Sequence, residues 1–246
     1  MRTIRRLGID IVGVLVGAVA SGCTGASTVS RLPNTQLERG AHGPFVASFV
    51  SFPRAGASAP ALNGEFQEGL QTRARADGWL GEYLVADASR FGLITLWRGA
   101  EQERAFHGPA WLAAESARRG VAPTVERFDV PVWIDSGRVP EGEHGVVVFV
   151  SVPLPWFRPR GMVESKIIDR VPEYQSLAAL DRKYFILMDP GRTGGIYLWH
   201  ERGDAEAYYD GAWHARVKER YGTDADMRTL DVLALSVPPF TLAPTR

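Results

Sequence analysis

The chain has 246 residues, 28 basic and 28 acidic side chains, a 45% hydrophobic fraction and 7 tryptophans, which is apolar mass enough for one or two packed cores. Balanced charge, with no basic tract or basic-aromatic stripe, argues against nucleic acid as a partner. The one cysteine, Cys23, excludes an intrachain disulfide, a cysteine-based zinc site and a dithiol redox motif.

Residues 1–23 have the plan of a bacterial lipoprotein signal peptide. Arg2, Arg5 and Arg6 precede an apolar run, and Ala20-Ser21-Gly22 leads into Cys23. The alternatives are an ordinary buried cysteine or a plain signal peptide. Lipidation at Cys23 would hold the protein on a membrane surface, facing the periplasm or the cell exterior, with no spanning helix. Residues 24–40 are polar, rich in small side chains and without periodicity, as in a flexible tether.

Residues 41–137 read as a first domain. A β-rich run from Pro44 to Phe52 is stopped by Pro53. Asn63 is the expected N-cap of a helix through Ala76. Trp79 to Val85 and Gly92 to Trp97 are strands, Glu101 to Arg119 is a helix ended by Gly120, and Thr124 to Ile134 is a fourth strand. The order β-α-β-β-α-β is the ferredoxin-like plan. A linker follows over 138–143. The second domain, 144–240, repeats the order: Val146 to Val152, a helix from Val163 broken at Pro172, Asp181 to Met188, Gly195 to Trp199, a helix from Asp204 to Tyr221, and Met227 to Val237.

The two domains are copies. Gly92 to Arg119 aligns without a gap on Gly194 to Tyr221, each number differing by 102. Leu96-Trp97 meets Leu198-Trp199, Ala110-Trp111 meets Ala212-Trp213, and Asp129-Val130 meets Asp231-Val232. Such a period is the length of a small domain and far longer than a solenoid repeat. In the third strand Ile196 and Leu198 alternate with Tyr197 and Trp199, so both faces carry large apolar groups. One face should meet helices and the other the second sheet.

The run Gly194-Gly195-Ile196-Tyr197-Leu198-Trp199, the helix after it, the strand with Asp231-Val232 and Arg182-Lys183-Tyr184-Phe185 resemble the dimeric α/β-barrel superfamily, nearest to mono-oxygenase-like proteins of the YdhR type. The resemblance implies α+β architecture in which two tandem ferredoxin-like domains form a single-chain barrel, an internal pseudo-dimer within a monomer. It also implies cofactor-independent oxygen chemistry on a small apolar or aromatic compound. Fold does not settle activity, and a non-catalytic binding or scaffold lipoprotein is the alternative.

Helical spacing places Phe106, Ala110, Ala113, Ala114 and Ala117 on a core stripe, repeated in part by Tyr208, Ala212 and Ala215. Trp111 and Trp213 then fall about 100° away, at the seam. Trp199, Tyr208 and Trp213 are candidate ligand-binding aromatics, and ordinary edge packing explains them as well. Arg216, where the first half has Ala114, either snorkels or reaches an acidic ligand group. His200, His214 and Tyr184 are the candidate bases, although each histidine also fits a solvated surface. No phosphate loop, dinucleotide fingerprint, nucleophile elbow or HExxH pattern is present, so neither cofactor nor metal is expected. Any site should lie in the second half, because the first has Thr95 for Tyr197 and Leu93 for Gly195.

Overall fold

The computed structural model describes residues 28–31, 45–135, 145–154 and 159–237. The expected signal peptide with Cys23, the expected linker 138–143 and the residues after 237 lie outside this set. The elements of the first half are β1 (Thr28–Arg31), β2 (Val46–Pro53), α1 (Ala59–Arg73), β3 (Trp79–Ala86), β4 (Arg90–Trp97), α2 (Ala100–Phe106), α3 (Pro109–Arg119) and β5 (Thr124–Asp135). The second half has β6 (Val146–Pro153), α4 (Arg160–Asp169), α5 (Val171–Gln175), β7 (Leu180–Met188), β8 (Arg192–Trp199), α6 (Arg202–Tyr208), α7 (Gly211–Tyr221) and β9 (Asp226–Ser236).

Each half is ferredoxin-like, with strand orders β5-β2-β4-β3 and β9-β6-β8-β7. The halves join edge to edge. β3 pairs antiparallel with β9, and β5 with β7, which closes eight strands into a barrel. Closure pairs the edges of the two four-stranded sheets with each other. β5 reaches both neighbours by bending at a register break between Asp129 and Val132. Pro131 sits at this break, where a missing N–H costs no ladder bond. β1 adds to β5 from Thr28↔Asp135 to Arg31↔Val132, so this part of the expected tether is an edge strand.

The barrel interior is one apolar core drawn from both halves. Phe49, Ile94 and Leu96 meet Phe149, Ile196 and Leu198 there. Equivalent residues touch one another: the Phe49 and Phe149 rings lie 5.2 Å apart, and the Tyr83 and Tyr184 hydroxyls 2.5 Å apart. Self-contact of this kind marks a two-fold axis, here an internal one. The opposite sheet faces, with Thr95 and Trp97 or Tyr197 and Trp199, lie under helices, as the alternation requires.

Three helical expectations need correction. Helix α1 begins at Ala59, capped by Ser58 with Pro60 in its first turn, so Asn63 is interior. The single helices expected over 101–119 and 204–221 are each two. Pro109, which has no N–H to give, starts α3, and Asp210 caps α7 by accepting a hydrogen bond from Trp213 N at 2.7 Å. A break resets the helical phase, so a stripe extrapolated from Phe106 fails. Ala110, Ala113, Ala114 and Ala117 are exposed, as are Ala212, Ala215 and Arg216. The inward face of α7 is instead Trp213, Val217 and Tyr221, at spacing four, with Trp213 buried.

Candidate functional site

Helices α4, α5 and α7 do not close over the second sheet. They leave a cavity of about 540 Å³ above β6, β7 and β8. Trp213 and Tyr208 form one wall, Val163, Ile167 and Tyr174 the other, and Val150, Lys183, Phe185 and Tyr197 the floor. Lys166, Arg170, Arg216 and Arg220 stand round the mouth with Glu173. Glu173 is paired with Arg170 at 2.9 Å. Arg216 and Arg220 form no ion pair among the described residues.

Lys183 is the chemically distinctive group. Alternation along β7 sends Tyr184 into the barrel and Lys183 to the helix side. Its side chain is 2% exposed. Nζ stands 2.9 Å from the ring centre of Tyr174, 3.9 Å from Phe185 and 4.4 Å from Tyr197. No carboxylate among the described residues forms an ion pair with it. Burial holds its ammonium well below the ordinary lysine range, and Arg170 pushes the same way against a weaker pull from Glu173. The ring faces favour the cation and offset part of this, but three such contacts do not replace the hydration of a charge. Burial likewise raises the phenols of Tyr174, Tyr197 and Tyr208 above their ordinary value. The floor therefore carries an amine whose charged form burial disfavours, among phenols whose ionisation burial also disfavours.

The double glycine has two separate causes. A Cβ on Gly194 would lie 1.8 Å from Val150 O, and one on Gly92 would lie 2.3 Å from Val50 O, so this glycine serves the strand pairing in both halves. A Cβ on Gly195 would lie 2.7 Å from the Tyr197 ring and 3.1 Å from Lys183 Cε. Gly195 makes room for the amine and its ring, and its first-half counterpart is Leu93.

Of the residues expected from sequence, Tyr208, Trp213 and Arg216 line the cavity. Trp199 does not. It is buried behind Tyr208 and Tyr209, at ring separations of 5.0 and 5.9 Å. None of the three candidate bases reaches the cavity. Tyr184 is inside the barrel against Tyr83, His214 is exposed on the outer side of α7, and exposed His200 places Nδ1 3.2 Å from Asp181 Oδ2. The reason is the same for each: alternation or helical phase points it away. Lys183, Tyr174 and Tyr197 were missed. Two signals mark Lys183 in the sequence. Only three lysines, Lys166, Lys183 and Lys218, stand among the 28 basic residues, and Lys183 alone precedes an apolar run, Tyr184 to Met188. Among the described residues no group of His, Cys, Asp or Glu is placed to hold a metal ion.

No family model matches the sequence, and no curated protein does. Solved structures do. A candidate monooxygenase of Fusobacterium nucleatum aligns with a TM-score of 0.58 at 10% identity, over 79% of this chain and 94% of its own. An anthrone oxidase-like protein aligns at 0.53 with 15% identity, over 82% and 97%. A candidate monooxygenase of Lactobacillus acidophilus aligns at 0.51 with 8% identity, over 78% and 96%. These shares exceed what one half can supply, so both halves are matched. The fold is the dimeric α/β barrel. At these identities the likeness is one of architecture, and the chemistry has to be argued from the cavity.

Proposed function

We propose that the second half holds a small aromatic compound with an acidic C–H or O–H and promotes its oxidation by dioxygen without a bound cofactor. The buried Lys183 amine at the floor of an aromatic-walled cavity, its charged form disfavoured by burial, carries this reading. An apolar body fits between Trp213 and Tyr174, and the unpaired Arg216 and Arg220 suit an electron-rich or anionic end at the mouth. Lys183 Nζ takes the acidic proton. The resulting ammonium then faces three rings, each worth about 0.5–2 kcal/mol to a desolvated cation. The carbanion or phenolate left behind is electron-rich enough to react with dioxygen directly. Where the acid is a ring-flanked CH2, the product is a carbonyl. One oxygen atom enters it and the other leaves as water, so no external reductant is consumed. The name of the anthrone oxidase-like neighbour is in keeping with a substrate of that class.

The test is oxygen uptake with anthrone and with simple hydroquinones, beside quenching of tryptophan fluorescence by the same compounds. Uptake by the full chain that falls at least a hundredfold in Lys183→Met, with quenching retained, is the expected result. Quenching without uptake would favour the second reading, a binding or scavenging protein using the same cavity. Neither response would end both readings. The aromatic cavity alone supports the second reading, since it requires no proton transfer. The sequence plan of residues 1–23 further supports an exported lipoprotein anchored through Cys23, which lies outside the described residues. Incorporation of a palmitate label, absent in Cys23→Ser, is the expected outcome.

A further inference from the structure

Resting on the reading of the cavity as an aromatic site, we infer that Lys183 is also a nucleophile, and that it captures aromatic aldehydes and ketones covalently as an imine. Three observations carry this. The amine is buried in the aromatic core cluster of the second half, and its residue lines a 540 Å³ cavity. Ring faces enclose Nζ at 2.9, 3.9 and 4.4 Å, so its approach to a ligand is from the cavity. Gly195 leaves free the space that any side chain there would take from Lys183 Cε and Tyr197. The matching position of the first half holds no amine. Register sets Glu82 opposite Thr95 as it sets Lys183 opposite Tyr197, and Glu82 is spent on an ion pair with Arg73 at 2.8 Å.

The chemistry balances without an oxidant or reductant. The Nζ lone pair forms a C–N bond as the carbonyl π bond breaks, and one proton passes from nitrogen to the alkoxide oxygen. The hydroxyl so formed takes the second nitrogen proton and leaves as water while the C=N bond forms. The sum is amine plus carbonyl to imine plus water. A protonated imine would place its charge against Tyr174, Phe185 and Tyr197, which favour a cation. The apolar cavity disfavours the water that would reverse the step. A desolvated lysine is known chemically as an activated amine for this reason.

The experiment uses the full chain, 4-hydroxybenzaldehyde as the probe and cyanoborohydride to fix any imine as a stable amine. The chain contains only three lysines, so peptide mapping gives each its own rate. Lys166 is exposed at the cavity mouth, and Lys218, exposed and outside the cavity lining, is the internal standard. Lys183 is expected to be modified at near-neutral pH at least about tenfold faster than either, because burial raises its free-amine fraction and the aromatic walls hold the aldehyde beside it. Phenol, which lacks the carbonyl but fits the same walls, is expected to slow the modification at Lys183 and leave that at Lys218 unchanged. Equal rates at the three lysines overturn the inference. So does fluorescence quenching by the aldehyde with Lys183 left unmodified, which leaves the aromatic-site reading standing. Absence of quenching and of modification overturns both. The mapping is made on the unaltered protein and does not depend on any variant folding.

Discussion

Glu82 and Lys183 stand at the same point of the same strand in two copies of one fold. Both are buried. Around Glu82 the first half builds compensation. Arg73 donates to both carboxylate oxygens at 2.9 and 2.8 Å, and Glu65, Glu115, Arg118 and Arg119 lace the cavity of about 460 Å³ above it with ion pairs. Deeper in the same half, Glu103, His107, Ser48, Thr95 and the Trp97 N–H form one buried polar network. The second half has Ala205, Tyr209, Val148, Tyr197 and Trp199 at these places, and Tyr209 meets the Tyr197 and Trp199 rings edge to face. Among the described residues it leaves its buried amine without a carboxylate. The first half pairs its buried ionisable group at this point of the strand, and the second does not. Uncompensated burial of an ionisable group is costly, and it tends to persist where it does chemistry.

Removing the compensation should hurt most. Arg73→Ala leaves Glu82 fully buried without its cation, and about 3–5 kcal/mol of stability should be lost in chemical denaturation. Arg73→Met with Glu82→Leu should recover most of that. A loss below 1 kcal/mol in the single variant would mean that water reaches Glu82 and that the contrast between the halves is weaker than drawn. Lys183→Met should do the reverse and stabilise the protein at neutral pH by about 1–3 kcal/mol, since an unpaired polar group leaves an apolar site. The pH dependence fixes the sign. The folded Lys183 has a depressed pKa, so the unfolded chain binds its proton first as pH falls from about 10, and folding weakens across that window down to the folded value. Lys183→Met should flatten that slope. Glu103 behaves differently. Burial pushes its carboxyl up, but His107 and Arg127 together hold it below the ordinary value. Its contribution is present above about pH 4 and is lost as pH falls through the folded pKa. Glu103→Gln should therefore lower stability above about pH 4 and flatten the acid limb.

How much of this could be read from the sequence depends on the kind of signal. The duplication, the strand order and the two-sided sheet followed from a 102-residue offset and from alternation, both of which are local and repeated. Closure by β3 with β9 and β5 with β7 did not, because edge pairing between distant strands leaves no local pattern. The site was legible only where helical phase was right. Trp213 and Tyr208 were found as aromatics, but the break before α7 turned the alanine stripe outward. Lys183 was passed over because a lysine in a strand reads as a solvated face, and only the helices above β7 show otherwise.

The internal axis offers a milder test. Glu126 and Arg228 are equivalent positions, and they pair with each other across the axis at 2.5 and 2.9 Å. In a homodimer the same position would meet itself, as Glu against Glu or Arg against Arg. Only non-identical halves can make this a salt bridge. Both side chains are about a third exposed, so the pair is worth about 0.2–1 kcal/mol. Glu126→Arg should cost about 1 kcal/mol, and adding Arg228→Glu should restore it in a double-mutant cycle. No restoration would show that the fusion gained nothing electrostatic at its axis.

The smallest effect separates the two short helices that follow the broken turns. Helix α7 has Asp210 at its N-cap, whereas α3 has Gly108, with no side-chain bond to its first turn. Asp210→Ala should cost about 1 kcal/mol, and Asp210→Gly, which copies the first half, only a few tenths. The cap matters beyond its energy. Asp210 fixes the backbone N–H of Trp213, the residue that forms one wall of the cavity. Asp210→Gly should therefore weaken quenching by an aromatic probe more than its stability change would explain. Equal and small changes in both measurements would show that Trp213 is held by packing on Tyr209, 4.8 Å away, and that the cap has no part in shaping the site.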